Sequence, residues 1–199
     1  MFKYIYYIIL WITLSIGCVS ESATTLDSVA NMDMIGDSIS SVTEVGSPLY
    51  FSSQGDYRAL FPDSVEHIEE SLPTSFGVVR TYTDVCSVNE DQVYLVKCIE
   101  YPMAIFEGRA DSFSEELIQN SIEETKLRYA IDSTGMEERR NVGIYPGYYY
   151  QGSNERYAVA CVHVLSENYL YQIVVCVEGE SFNQEEIDLF MNSVQITRS

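Results

Sequence analysis

The sequence predicts an α+β domain in which helices pack on a mostly antiparallel sheet, preceded by an N-terminal extension. Three observations predict this fold class. Runs with a strand-like period alternate with hairpin-length turns, two later segments change to helical spacing, and 16 of the 199 residues are tyrosine, which suits a pleated sheet. Because 46% of the residues are hydrophobic, the chain has enough apolar material for the core of one domain.

The clearest element is a hairpin between Glu155 and Gly179, with its turn at Glu167 and Asn168. With that turn, Ser166 faces Tyr169 across the two strands. One face of the hairpin is then almost wholly apolar, with Ala158, Ala160, Val162 and Val164 opposite Tyr171, Ile173, Val175 and Val177. Such a face must be covered, and the helices predicted elsewhere in the chain are the candidates for that cover.

Further strands are predicted within Pro48–Pro62, Ser64–Glu70, Phe76–Val88, Val93–Tyr101, Met136–Ile144 and Tyr148–Gln151. A long helix is predicted over Asp111–Ile131, and a shorter one begins at Asn183. In the hairpin that precedes the long helix, we expect Val88 to face Val93. That register puts Cys86 and Cys98 on opposite faces of the sheet.

Residues 1–18 have the layout of a secretory signal, with Lys3 before an apolar run that is short for a membrane span. The end of this segment, Leu14-Ser15-Ile16-Gly17-Cys18, resembles a bacterial lipoprotein box. We therefore expect lipidation of Cys18. Ser15 departs from the aliphatic residue usual at its position, so plain cleavage nearby and an uncleaved anchor stay open as alternatives.

Residues 19–47 are rich in Ser, Thr, Asp and Glu and have no sustained period, which is typical of a flexible polar tether. The folded domain is then expected to occupy residues 48–199. The formal net charge of −19 disfavours binding to nucleic acid or to anionic lipid headgroups. The predicted location is the cell envelope, with the membrane reached only through the lipid anchor; a secreted or periplasmic soluble protein is the alternative.

Five short motifs occur in one order along the domain: Tyr57 to Phe61-Pro62, Tyr101-Pro102, Ile144-Tyr145-Pro146-Gly147, Asn168-Tyr169-Leu170-Tyr171-Gln172 and Phe190-Met191-Asn192-Ser193-Val194. In order and spacing they resemble the bacterial relatives of the PsbP and Mog1 proteins, over roughly Tyr50–Ile196. Gln172-Ile173 and Val194 depart from the family pattern. The resemblance implies an α/β/α sandwich and a non-catalytic role as an assembly, adaptor or envelope lipoprotein domain with a protein partner.

The domain has four cysteines besides Cys18, and an exported protein can form disulfides. In the predicted register Cys161 and Cys176 share a face but lie diagonally, about 7–8 Å apart. That distance is borderline for a disulfide, so a bridge and buried thiols both stay open. His163 lies two residues from Cys161, on the same strand face but about 6.5–7 Å away, so we expect a sheet-surface histidine and no catalytic pair.

No metal-ligand spacing, phosphate-binding loop or nucleophile elbow is found in the sequence, so no metal, cofactor or enzymatic activity is predicted. Tyr145, Tyr148 and Tyr150 form the candidate contact site. Sheet packing is the ordinary interpretation of such a cluster, and an aromatic patch for a peptide or small apolar ligand is the functional one. The predicted function is binding of a protein partner; a small-ligand-binding protein with a cleft near Tyr148 is the alternative.

Overall fold

The computed structural model describes residues 49–88, 91–109, 112–179 and 182–198. These residues form an α+β fold with mostly antiparallel sheets and two α-helices, which confirms the predicted class at this level. The strands are β1 (Tyr50–Ser52), β2 (Tyr57–Ala59), β3 (Glu66–Thr74), β4 (Gly77–Val88), β5 (Gln92–Glu100), β6 (Ser133–Arg139), β7 (Gly147–Ser153), β8 (Tyr157–Ser166), β9 (Tyr169–Glu178) and β10 (Gln195–Ile196). The helices are α1 (Ser112–Arg128) and α2 (Gln184–Ser193), and a turn of 3-10 helix covers Met103–Ile105.

The strands form two sheets. The large sheet has seven strands in the order β3-β4-β5-β9-β8-β7-β6, and the small sheet has the order β1-β2-β10. All the strand pairs in both sheets are antiparallel. The hairpin β8–β9 lies in the interior of the large sheet, and β3 and β6 form its two edges.

The β8–β9 hairpin has the predicted turn and register, with Ser166 opposite Tyr169. Glu167 in the turn has a φ of 54°, in the left-handed region. The apolar face of the hairpin is covered by α2 and the small sheet. Ile187, Phe190 and Met191 of α2 share one buried cluster with Val162 and Ile173 of the hairpin.

The other helix, α1, covers the opposite face of the large sheet. Its side chains Leu117, Ile118, Ser121, Ile122 and Thr125 are buried, at the spacing that the sequence predicts for the inner side of a helix. The helices therefore lie on opposite faces of the large sheet. The apolar face is covered by the short helix α2, which begins at the predicted cap Asn183, whose side chain accepts a hydrogen bond from the Glu185 N–H.

The predicted register of the β4–β5 hairpin is wrong by one residue. Val88 faces Gln92, so Cys86 lies opposite Tyr94 and Cys98 lies opposite Tyr82. A shift by one residue moves every side chain of a strand to the other face. Cys86 and Cys98 consequently point to the same face, where both are buried in the core.

Two strand boundaries also differ from the predictions. β3 continues to Thr74 through Pro73, which is tolerated because β3 is an edge strand whose outer side needs no N–H donor. β6 covers Ser133–Arg139 and ends before the predicted Ile144, because the chain turns at Gly143, where φ is 62°. Among the described residues, no helix is long and apolar enough to cross a membrane. The expectations for Cys18, the signal segment and the tether concern residues outside the described ranges.

Candidate functional site

A cleft of about 300 Å³ lies between α1 and the β6–β7 edge of the large sheet. Tyr148 and Tyr150 share one face of β7, as strand alternation predicts, and line this cleft. The rest of the lining consists of Gln119, Ile122, Lys126, Glu137, Glu138, Arg139 and Tyr149. The cleft forms because α1 packs over the middle of the sheet and leaves β6, whose residues are all exposed, uncovered.

Two cations lie against the tyrosine rings of the cleft. The Lys126 Nζ is 5.5 Å from the centre of the Tyr150 ring and donates to the Glu137 carboxylate at 3.0 Å. The Arg139 guanidinium lies 4.9 Å from the centre of the Tyr148 ring and donates to the Tyr148 hydroxyl at 2.9 Å. Among the described residues Arg139 has no carboxylate within ion-pair distance. The cleft therefore combines aromatic surface with a positive charge that no carboxylate of the described chain neutralises.

Tyr145 does not belong to this cleft. Its hydroxyl donates to the Arg198 carbonyl oxygen at 2.9 Å, and its ring packs against the core that α2 covers. The sequence grouped Tyr145 with Tyr148 and Tyr150 by proximity along the chain. The turn at Gly143 and the start of β7 at Gly147 separate it from them, so the structure places Tyr145 outside the cleft that Tyr148 and Tyr150 line.

A buried polar network lies beneath the cleft, between β8, β9 and α1. The Tyr150 ring stacks on His163, with 5.9 Å between the ring centres. His163 contacts the Ser121 hydroxyl through Nδ1 at 2.8 Å and the Cys161 thiol through Nε2 at 3.1 Å. Gln172 donates to the same Ser121 hydroxyl at 2.7 Å. The expected loose spacing of Cys161 and His163 is thus wrong, because the two side chains turn toward each other beneath α1.

The electrostatics of this network do not activate the thiol. Burial, with a smaller contribution from the charge of Lys126, lowers the pKa of His163 to about 3. Burial also raises the pKa of the Cys161 thiol well above its ordinary value. Both groups are therefore neutral near neutral pH, whereas a cysteine nucleophile needs its thiolate form. Nothing in the spacing of Ser121 and Gln172 along the sequence indicated this contact.

The cysteines near this network are not bridged. Cys161 is a free thiol, so the Cys161–Cys176 disulfide that the sequence left open is not formed. The register explains this result: Cys161 lies opposite Val174 and Cys176 lies opposite Val159, so the pair is diagonal, as predicted. Burial raises the pKa of the Cys98 thiol, on the other face of the sheet, to about 12.

A second buried cluster surrounds Asp84 in β4. The Asp84 carboxylate is fully buried and accepts hydrogen bonds from the hydroxyls of Tyr50, at 2.8 Å, and Tyr57. The Nδ1 of His67 lies 2.6 Å from the same carboxylate. Burial first, and then the neighbouring carboxylate, raise the pKa values of both tyrosines, so both hydroxyls stay protonated as donors. The cluster joins the small sheet to the large one, and the sequence did not reveal it because its four members come from four strands.

The described residues contain no group of three or more His, Cys, Asp and Glu side chains arranged to hold a metal ion. No protein-family model matches this chain, and no curated protein matches it either. The resemblance to PsbP and Mog1 proteins therefore stays a prediction.

Proposed function

We propose that this protein is an exported cell-envelope lipoprotein whose domain binds a protein partner without catalysis, and that the partner contacts the cleft between α1 and β6–β7. The observation that carries the proposal is the cleft itself. Its lining combines the half-buried ring of Tyr148 and the buried ring of Tyr150 with the guanidinium of Arg139, which no carboxylate of the described residues neutralises. Aromatic and arginine side chains are enriched at the centres of protein interfaces.

The buried groups support a binding role over a catalytic one. Cys161 and His163 are in hydrogen-bond contact, yet both are fully buried and neutral. Asp84 has its carboxylate occupied by three donors from within the domain. The side chains that could take part in catalysis are thus used for packing inside the domain, whereas the cleft is open to a partner.

Site-specific photo-crosslinking in cells tests the binding site. A photoreactive phenylalanine analogue would replace Gln119, which lines the cleft, and in a matched control it would replace Leu127, which is exposed on α1 but does not line it. We expect a discrete adduct from position 119, absent from position 127 and lost when Tyr148→Ala is added. The proposal fails if position 119 yields no discrete adduct or if both positions yield the same ones.

A small apolar or aromatic ligand is the second candidate occupant, because a cleft of about 300 Å³ is at the lower end of the volumes of ligand sites. In this case a panel of small aromatic compounds would include one that raises the melting temperature of the chain, and Tyr148→Ala would abolish that rise. Tyr145→Ala is the matched control, since Tyr145 lies outside the cleft. An equal rise in both variants would argue against this candidate.

Lipid anchoring at Cys18 has its own test. Metabolic labelling with a palmitate analogue should label the wild-type chain and not the Cys18→Ala variant. Labelling that persists in the variant would contradict the anchor while leaving the cleft proposal intact.

A further inference from the structure

The edge strand β6 exposes backbone hydrogen-bonding groups along the side that faces away from β7. All seven of its residues are exposed. The Arg140 N–H, just past the strand, donates to the Gly147 carbonyl oxygen at 3.0 Å. Hydrogen-bonded and non-hydrogen-bonded residue pairs alternate in an antiparallel ladder. The backbone N–H and C=O of Glu138, which lies opposite Tyr149, therefore also face β7. Glu137 and Arg139 consequently direct their N–H and C=O groups outward.

When a second β6 runs antiparallel beside the first, Glu137 and Arg139 are complementary twice on one face, whereas the two Glu138 side chains oppose each other on the other face. A two-fold axis at Glu138 would place Glu137 of each copy opposite Arg139 of the other. Both side chains lie on the α1 face, because they pair with Tyr150 and Tyr148. Arg139 has no carboxylate partner among the described residues of its own chain, and this arrangement supplies one.

The other edge of the sheet has the opposite character. β3 carries Glu66, Glu69 and Glu70, which repel a second copy, and Pro73, which lacks an N–H donor. These are the features by which proteins prevent pairing at a sheet edge. β6 contains no proline, and it carries Arg139 beside Glu137 and Glu138. Its pairing with β7 shifts in register between Thr134 and Glu137, so the regular part of this edge begins at Glu137.

We propose that the partner of β6 is a second copy of this chain, paired antiparallel about a two-fold axis at Glu138, so that the two large sheets form one continuous sheet. The axis is perpendicular to the sheet, so both α1 helices lie on the same side. The two clefts then adjoin across the axis and form one trough with Tyr148 and Tyr150 from both copies. This inference is independent of what occupies the cleft.

The paired segment is short, about five residues on each side, so the dimer is weaker than an interface of standard size. Covalent trapping in the full-length chain is therefore the suitable measurement. Glu138 would face its own counterpart in a non-hydrogen-bonded pair, with Cα atoms about 4.5 Å apart, a separation at which a disulfide can form. The Glu138→Cys variant should give a reducible dimer under mild oxidation. Ser133→Cys, on the same exposed strand, and the wild-type chain are the controls and should not.

Charge reversal tests the register. In the Glu138→Cys background, Arg139→Glu places like charges opposite each other twice, and we expect the rate of cross-linking to fall about tenfold. The double change Glu137→Arg with Arg139→Glu restores opposite charges and should recover most of the rate. The substituted positions are all exposed, and the melting temperature of each variant establishes that it is folded.

Three results would overturn the proposal. The first is cross-linking of Glu138→Cys no faster than that of Ser133→Cys. The second is a rate that the single charge reversal leaves unchanged, and the third is a double reversal no faster than the single one. If cross-linking fails and the photoreactive group at Gln119 still captures a different protein, the dimer is refuted and the proposed function stands.

Discussion

The buried imidazole of His163 should make the stability of the folded domain depend on pH. Burial, and then the charge of Lys126, lower the pKa of His163 from its ordinary value of 6.5 to about 3. The unfolded chain has the ordinary value, so between these two pH values it binds a proton that the folded chain does not. Above pH 6.5 the neutral His163 ring therefore does not reduce the free energy of unfolding. As the pH falls from 6.5 toward 3, the free energy of unfolding decreases because only the unfolded chain takes up the proton.

The magnitude follows from the difference between the two pKa values. Each pH unit below the unfolded pKa costs about 1.4 kcal/mol of the free energy of unfolding. Lowering the pH from about 7 to about 5 should therefore remove about 2 kcal/mol through His163 alone. A protonated ring carries N–H donors on both nitrogens, so it could no longer accept a hydrogen bond from the Ser121 hydroxyl or the Cys161 thiol.

Urea unfolding followed by circular dichroism at a series of pH values measures this contribution. The carboxylates titrate alike in wild type and in a His163→Gln variant, so the difference between the two curves isolates the imidazole. We expect wild type to lose about 2 kcal/mol more than His163→Gln between about pH 7 and about pH 5. Parallel curves for wild type and His163→Gln would refute the reasoning.

Three further predictions concern the other buried groups. Asp84→Asn should lower the free energy of unfolding by about 2–4 kcal/mol, because one carboxylate oxygen that accepts from the buried tyrosine hydroxyls is replaced by an amide NH₂ group. Asp132→Asn, at an exposed position, should change it by less than about 0.5 kcal/mol in the same urea titration. Burial lowers the pKa of Lys97 to about 8, so Lys97→Met should raise the free energy of unfolding by about 1–3 kcal/mol near neutral pH. This gain should shrink as the pH rises toward 10.5, because the buried lysine is then neutral in the folded chain and its charge no longer costs free energy. The thiols of Cys98 and Cys161 should resist iodoacetamide in the folded chain and react fully in urea, as measured by mass spectrometry; rapid labelling of Cys161 in the folded state would reopen a catalytic role.

Most elements of the fold could be predicted from local patterns. The β8–β9 hairpin has its predicted turn and register because both depend on the two-residue period and on the turn residues between Ser166 and Tyr169. The helices were found from apolar spacing and from caps such as Asn183. The β4–β5 register was missed by one residue, since two adjacent hairpin loop lengths fit that sequence and contacts with neighbouring strands select one of them.

The candidate site was predictable only in part. Strand alternation put Tyr148 and Tyr150 on one face, and the structure adds the cleft beside them. Lys126 and Arg139 reach the same cleft from α1 and β6, a helix and a strand joined by residues 129–132, so no single periodic pattern covers both residues. Tyr145 lies outside the cleft because it belongs to the turn before β7, where it pairs with Val142.

The sequence by itself determined the elements, the antiparallel hairpins and the faces that must be buried, because these follow from periods and turn residues over a few neighbouring positions. Only the tertiary structure decided which helix covers which face, that His163 and Cys161 are neutral neighbours beneath α1, and that Asp84 joins the two sheets. The physical reason is that burial, hydrogen-bond partners and pKa values depend on the side chains that packing brings together from distant parts of the chain.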